Sequence, residues 1–382
     1  MIPYGRQDIR QDDIDAVVDV LRSDFLTQGP AVQRFEVAVA SAAGATHAVA
    51  VNSATSALHV ACIALGLGPG DILWTSPVTF VASANCARYC GAGVDFVDID
   101  PATGNMCPAR LEEKLERAAL AGRLPKIIVP VHLGGLSCDM AAIGALAKRH
   151  GVRIIEDASH AIGGSHRGEP VGNCRFSDIT VFSFHPVKIV TTGEGGAAVT
   201  NDAALASHMA RLRSHGITRD PELMTHSPDG PWYYQQRELG WNYRMTDLQA
   251  ALGHAQIARL TDYVARRNAL AERYDSILEA MPVARPGRHK DSRSAFHLYV
   301  VRVPAGQHRR VFEGLRDAGI GVNLHYIPVH LQPYYRDLGF SGGEFPEAER
   351  YYAEAISLPL FPTMTEATQD EVAGVLAGLL DR

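Results

Sequence analysis

Between residues 47 and 200 short apolar runs alternate with stretches whose apolar positions recur at helical spacing. His47–Val51, Ile72–Thr75, Val94–Ile99, Ile127–Val131, Val152–Ile155, Ile179–Phe182 and Ala197–Thr200 read as strands. Ser56–Leu67, Phe80–Tyr89, Ala109–Leu120 and Met140–His150 read as helices between them. Such alternation predicts right-handed βαβ crossovers and a mostly parallel sheet covered on both faces. In an α/β sheet of this kind a ligand sits beyond the carboxyl ends of the strands.

The pattern changes after about residue 220. Pro221–Trp232 is a proline-dotted loop, followed by long helical stretches at Asp247–Gln256 and Leu260–Leu278. Pro282–Ser292 carries Pro282, Pro286 and Gly287 and resembles a domain junction. Beyond it a strand is expected at Phe296–Val303, a helix at Arg309–Ala318, a strand at Val322–Tyr326 and two helices at the end. These elements predict a large domain over 13–258 and a smaller α+β domain over 259–382, with 1–12 packing near the latter.

Composition bounds the function. Of the 382 residues 46% are apolar and 20% charged, the profile of an ordinary globular protein. A net charge of -6 gives no footing for nucleic acid or an anionic membrane. The charged opening (Arg6, Asp8, Arg10, Asp12, Asp13, Asp15) is unlike a signal peptide, and no apolar run approaches the ~18 residues of a membrane span. The six cysteines include no C-x-x-C pair, so reduced thiols and a cytoplasmic location are expected.

Four strand-end segments carry candidate chemistry. Lys188 follows the run Ile179–Phe182 and precedes the glycine-rich Gly193-Glu194-Gly195-Gly196. A lysine amine forms Schiff bases when desolvation lowers its pKa, whereas most loop lysines are simply solvated. Asn52–Leu58 opens a helix with small hydroxylated residues, which suits either an anion such as phosphate or a plain N-cap by Ser53 or Thr55. Asp157, in Glu156–His160, is an acid at a central strand end. It could cap a helix, bind a metal or pair with a buried cation such as a protonated pyridine nitrogen. Phe80 after Thr79 is a core residue or a platform for a flat ring. A Schiff-base lysine, a ring-nitrogen partner, an aromatic platform and a phosphate cup together describe a pyridoxal 5'-phosphate site.

With these residues the chain resembles the DegT/DnrJ/EryC1/StrS sugar-nucleotide aminotransferases. The matching pieces run in order over nearly the whole chain: Leu26–Gly29, Asn52–Leu58, Pro77–Asn85, Val131–Gly135, Glu156–His160, Ser183–Gly196 and Asn242–Met245. The resemblance implies the PLP-dependent fold type I of aspartate aminotransferases, with a mostly parallel seven-stranded sheet and a smaller C-terminal α+β domain. It also implies roles. Lys188 would hold the cofactor and move the proton, and Asp157 would pair with the ring nitrogen. His160 would lie near the phenolic oxygen, in a position where many relatives carry glutamine, and Phe80 would stack on the ring. Ala54, Thr55 and Ser183 would hold the phosphate, and Asn242 would reach it from a neighbouring subunit, which implies a homodimer.

Finer similarity, at Ile2–Gly5, Ser23–Pro30, Phe182–Lys188, Ser214–Ile217 and Val322–Tyr326, points within the family to the C4 transaminases of pseudaminic acid biosynthesis. The activity implied is transfer of the amino group of L-glutamate to a UDP-linked 4-keto-6-deoxy-N-acetyl-hexosamine, giving UDP-4-amino-4,6-dideoxy-N-acetyl-β-L-altrosamine. Tyr4, Asp24, Phe25, Leu26, Thr27, Asn323, Leu324, His325 and Tyr326 would touch the nucleotide sugar. Arg219 and Arg244 are candidates for the donor's carboxylate. Alternatives are a sibling acting on another dTDP- or UDP-keto sugar at C3 or C4, and a non-catalytic sensor of the same fold. A related dehydratase replaces the lysine by histidine, which Lys188 argues against.

Overall fold

The computed structural model describes residues 1–380. The chain opens with helices α1 (Gln11–Leu21) and α2 (Pro30–Ala43). Strand β1 (His47–Val51), α3 (Ala54–Ala64), β2 (Ile72–Thr75), α4 (Ala82–Tyr89) and β3 (Gly93–Phe96) follow. Then come α5 (Pro108–Leu120), β4 (Ile127–Val129), α6 (Met140–His150), β5 (Arg153–Asp157), β6 (Ile179–Ser183), β7 (Gly196–Thr200) and α7 (Ala203–Leu212). The C-terminal part holds α8 (Asp247–Ile257), α9 (Leu260–Ile277), β8 (Tyr299–Arg302), α10 (His308–Asp317), α11 (Pro333–Arg336), α12 (Pro346–Glu354), β9 (Ala355–Leu358) and α13 (Glu366–Leu380).

Strands β1 to β7 form one sheet in the order β1-β7-β6-β5-β4-β2-β3. Neighbours from β3 to β6 pair in parallel, and only β7 runs against both of its partners, β6 and β1. This is the mostly parallel seven-stranded sheet expected from the sequence. Strand residues alternate between two helix-covered faces. Phe182, Ala197 and Val199 pack with α2 and α8, whereas Val181, Ala198, Ile155 and Leu73 pack with α3 and α4. Both faces being covered explains why the strands read as unbroken apolar runs.

A separate apolar core joins the second half of α9, β8, β9, α10 and α13. Strands β8 and β9 pair antiparallel, and the N-terminal Ile2 bridges to Ile320 beside them. A third cluster spans the seam, with Val78, Ala84, Phe96 and Leu133 against Val329, Tyr335, Phe345 and Tyr351.

The structure corrects several element readings. Val322–Tyr326 is not a strand; Asn323 makes one isolated bridge to Ser357 of β9. The strand expected at Phe296–Val303 contracts to β8, and between the last two helices lies β9. Phe80 precedes α4 rather than opening it, and β5 extends through Asp157.

Candidate active site

All strands of the sheet but β7 end at one rim, and most of the sequence-predicted cofactor residues lie there. Strand β5 delivers Asp157, which is buried, and Ser83 of α4 donates to its Oδ2 at 2.6 Å. Ser83 Oγ also meets Thr79 Oγ1 at 2.7 Å, and the Ser159 N–H donates to Asp157 Oδ1 at 3.1 Å. The carboxylate is thus fixed in orientation before any ligand arrives, since charge-assisted hydrogen bonds are short and directional. The adjacent Glu156 points to the opposite face of the strand, where it takes a hydrogen bond from Ser177 and contacts His132 Nε2 at 2.8 Å. The Cys138 N–H donates to His132 Nδ1 at 3.1 Å.

Lys188 sits in the turn after β6, its N–H donating to the His185 carbonyl at 2.9 Å. Its side chain is half-buried, and burial pushes the amine down to about 8, opposed only by the Asp157 carboxylate. An amine so placed gives up its proton far more readily than a solvated lysine, which brings the neutral state required of a nucleophile or base within reach as pH rises toward 8.

Three histidines and a tyrosine gather near Lys188. The Gly134 N–H donates to His160 Nδ1 at 3.3 Å, so His160 Nε2 carries the ring hydrogen toward Tyr326 Oη at 3.2 Å. Burial and the charges of Lys188 and His325 hold His160 well below its ordinary pKa. His325 Nδ1 meets Ser357 Oγ at 2.7 Å, and burial beside Lys188 brings His325 down to about 3. His297, whose ring centroid is 4.4 Å from that of His160, is depressed for the same reasons. Tyr326 is raised by burial and by the Asp157 charge.

The N-terminus of α3 closes another side. Ser53 caps it by accepting from the Ser56 N–H at 3.1 Å, and Ala57 N–H bonds to the Ser53 carbonyl. The Ala54 and Thr55 N–H groups have no place in the helical ladder and face outward where the macrodipole is positive. Gly196 of β7 permits this approach: a Cβ there would lie 2.5 Å from the Ala54 nitrogen. Ser183, at the end of β6, is buried and pairs across to Gly196. Phe80 is 57% exposed, its ring 6.1 Å from that of Tyr326, which favours a platform over a core role.

The remaining sequence-predicted residues divide. Tyr4 joins the cluster, its ring 5.5 Å from His325, while Gly5 lies against Val187 next to Lys188. Burial raises the Tyr4 phenol, and its hydrogen bond with Asn323 works against that rise. Asn323 Oδ1 accepts from the Leu324 N–H at 2.8 Å, and Tyr351 holds the His325 carbonyl at 3.2 Å. Asp24, Phe25, Leu26 and Thr27 instead form an exposed stretch tied to the start of α8 through the Leu26 carbonyl. Asn242 is exposed, with its backbone bridged to Ser214, and no hydrogen bond of the cluster reaches it. Arg219 lies over the Tyr234 ring at 5.7 Å, and Arg244 bridges to Val51.

Sequence reasoning missed Ser83 and His297. Ser83 lies three residues after Phe80, so the helical start beside Phe80 was its available signal. His297 had none, because the contact with His160 is long-range and irregular.

The chain matches the model of the DegT/DnrJ/EryC1/StrS aminotransferase family over residues 7–377. It is 42% identical over 378 residues to the spore coat polysaccharide biosynthesis protein SpsC of Bacillus subtilis, covering 97% of this chain and 95% of that one. It is 37% identical over 386 residues to the UDP-4-amino-4,6-dideoxy-N-acetyl-beta-L-altrosamine transaminase of Campylobacter jejuni, covering 100% and 98%. Among solved structures, the PMP form of Spr1654 from Streptococcus pneumoniae superposes with a TM-score of 0.92 at 29% identity, covering 100% and 99%.

Proposed function

The chain belongs to the DegT/DnrJ/EryC1/StrS aminotransferase family, whose members use pyridoxal phosphate, and from that premise we propose its reaction. It transfers the amino group of L-glutamate to C4 of a UDP-linked 4-keto-6-deoxy-N-acetyl-hexosamine. The product is UDP-4-amino-4,6-dideoxy-N-acetyl-β-L-altrosamine, on the pseudaminic acid pathway. The observation that carries the reading is the Lys188 amine, depressed to about 8 and opposed by an Asp157 carboxylate that Ser83 locks at 2.6 Å.

The residues fit the cofactor. A desolvated amine, a fixed carboxylate and outward N–H groups at Ala54 and Thr55 are the three anchors it requires, and Gly196 leaves the room that a Cβ would fill. When bound, pyridoxal phosphate supplies an electrophilic carbon and a conjugated ring that takes up electrons. Lys188 Nζ would hold the cofactor and, as a neutral amine, would take and return the proton at the substrate carbon. Asp157 keeps the ring nitrogen protonated. Ala54, Thr55 and Ser183 hold the phosphate, Phe80 covers the ring, and His160 donates toward the phenolic oxygen.

Tyr4, Asn323, Leu324, His325 and Tyr326 bind the nucleotide sugar from the small-domain side. Asp24, Phe25, Leu26 and Thr27, exposed in one chain, complete that surface. Asn242 serves the site of a second copy, which makes the working unit a homodimer. In this reading residues 13–258 form the cofactor domain and 259–382 the small domain, and the enzyme works in the cytoplasm. No helix among the described residues is long and apolar enough to cross a membrane.

A second reading has one observation in its favour: identity to the spore coat protein SpsC, 42%, exceeds the 37% to the altrosamine transaminase. A different keto-sugar nucleotide would then be the acceptor. Offering UDP- and dTDP-linked 3-keto and 4-keto sugars with glutamate, and following 2-oxoglutarate, separates the two. Turnover confined to the UDP-4-keto sugar supports the first; a preference for any other sinks it.

A further inference from the structure

Arg267 lies on α9 at the junction of the two cores and is 1% exposed. It makes no ion pair with any described residue. Its Nη1 instead donates to three backbone carbonyls, those of Phe296 at 3.2 Å, His297 at 3.3 Å and Leu360 at 3.0 Å. Its buried Nε has no partner. Burial lowers the guanidinium to about 10, so it is still charged at neutral pH. A buried charge without a counter-ion is costly, and an apolar side chain of similar volume would serve stability as well or better. A charge kept in such a place calls for another explanation.

The three carbonyls lie on the two strips of backbone that carry site residues. Residues 295–298 run along the Gly134-Gly135 turn: the Ala295 N–H donates to the Gly135 carbonyl at 3.0 Å and the Leu298 N–H to the Gly134 carbonyl at 3.1 Å. Gly134 in turn holds His160. His297 presents its ring to His160, and its buried Nδ1 has no partner. On the other strip the Leu360 N–H donates to the Tyr4 carbonyl at 3.0 Å, and Tyr4 stands beside His325.

We propose that Arg267 is a positioning residue for the aminotransfer site. Its guanidinium clamps the backbone at 296–297 and at 360, seating His297 against His160 and Tyr4 against His325. None of the hydrogen bonds of Arg267 goes to Lys188 or to a strand end, so it acts through those residues. Burial above all keeps His297 neutral, and the charged and titratable groups facing it, Lys188, His160, Arg267 and His325, all oppose a proton on its ring as well. Loss of the clamp therefore loosens the His297–His160 contact. The kinetic part of this inference rests on the proposed reaction; the histidine part does not.

Holoenzyme labelled with 13C at histidine Cε1 tests it. Spectra of wild type, R267K and R267M are recorded from pH 5 to 9, with H297Q and H160Q assigning the two signals. In wild type neither signal titrates. In R267M the His160 and His297 signals are displaced, while R267K, which keeps a donor and a charge, stays near wild type. With the keto sugar, R267M raises KM about tenfold, and the half-reaction with glutamate changes less than twofold. Unmoved signals in R267M, or an R267K no closer to wild type than R267M, overturn the proposal. If R267M does not fold, R267Q, which keeps one donor group but neither the charge nor the reach, takes its place: displaced His160 and His297 signals support the proposal and unmoved ones overturn it. If wild type fails to turn over the sugar, the spectra still decide about Arg267, and only the substrate assignment falls.

Discussion

Lys188 sets an opposition between folding and function at a single residue. Its amine is lowered from 10.5 to about 8, so the folded state gives up its proton more readily than the unfolded chain. Between those values stability rises with pH, because the unfolded chain binds the extra proton; below about 8 the folded state carries a buried charge. K188M should therefore stabilise the cofactor-free protein at pH 7 by about 1–3 kcal/mol, an advantage that shrinks as pH rises toward 10.5. Denaturant melts of the two apo proteins at pH 7 and 10 measure it; an unstable K188M at pH 7 contradicts the buried-amine account. The same substitution abolishes turnover. In wild type the lysine-dependent rate should climb with pH through about 8, as the amine loses its proton. At Asp157, S83A removes the donor at 2.6 Å and should lower kcat roughly tenfold, since one lost hydrogen bond to a charged group is worth ~1.5 kcal/mol. A kcat within twofold of wild type would show that Asp157 needs no such support. Lys188, Asp157 and Phe80 were legible in the sequence because each follows an apolar run and so falls at a strand end. His297 and Arg267 were not, because their contacts join residues 29 or more positions apart through irregular backbone.

At the scale of elements, the close approach of β7 to α3 is what sets the position of the α3 N-terminus. A Cβ on Gly196 would meet the Ala54 nitrogen at 2.5 Å, so G196A must push the helix start away. The expected result is at least a tenfold weaker pyridoxal phosphate affinity, read by titrating the cofactor's absorbance; unchanged affinity would show that the α3 N-terminus does not hold it. S53A, which removes only the cap, should cost about 1 kcal/mol of stability. The seven strands of the sheet were readable from their buried apolar runs, but the reversed direction of β7 was not, since side-chain alternation is the same in either direction. The Val322–Tyr326 reading failed for a related reason. Its apolar and aromatic residues fit a strand, yet they face the site and the seam, with Asn323 alone bridging to β9.

The whole molecule raises the question of completeness. One chain assembles Lys188, Asp157, His160 and the α3 N-terminus, but it leaves Asn242 and the Asp24–Thr27 stretch exposed. If Asn242 serves the site of a second copy, K188A and N242A defects fall in the same site of a mixed dimer and leave its other site intact. Equal mixing and reassembly should then restore about a quarter of wild-type sites. No recovery beyond the residual activity of N242A would mean that each chain completes its own site. The central claim is nonetheless chemical, and one measurement meets it directly. Wild-type protein with pyridoxal phosphate, L-glutamate and the UDP-linked 4-keto-6-deoxy-N-acetyl-hexosamine should yield 2-oxoglutarate and one amino sugar, shown by NMR to carry nitrogen at C4 in the β-L-altro configuration. Absence of an amino sugar, or nitrogen at any other carbon, would contradict the account.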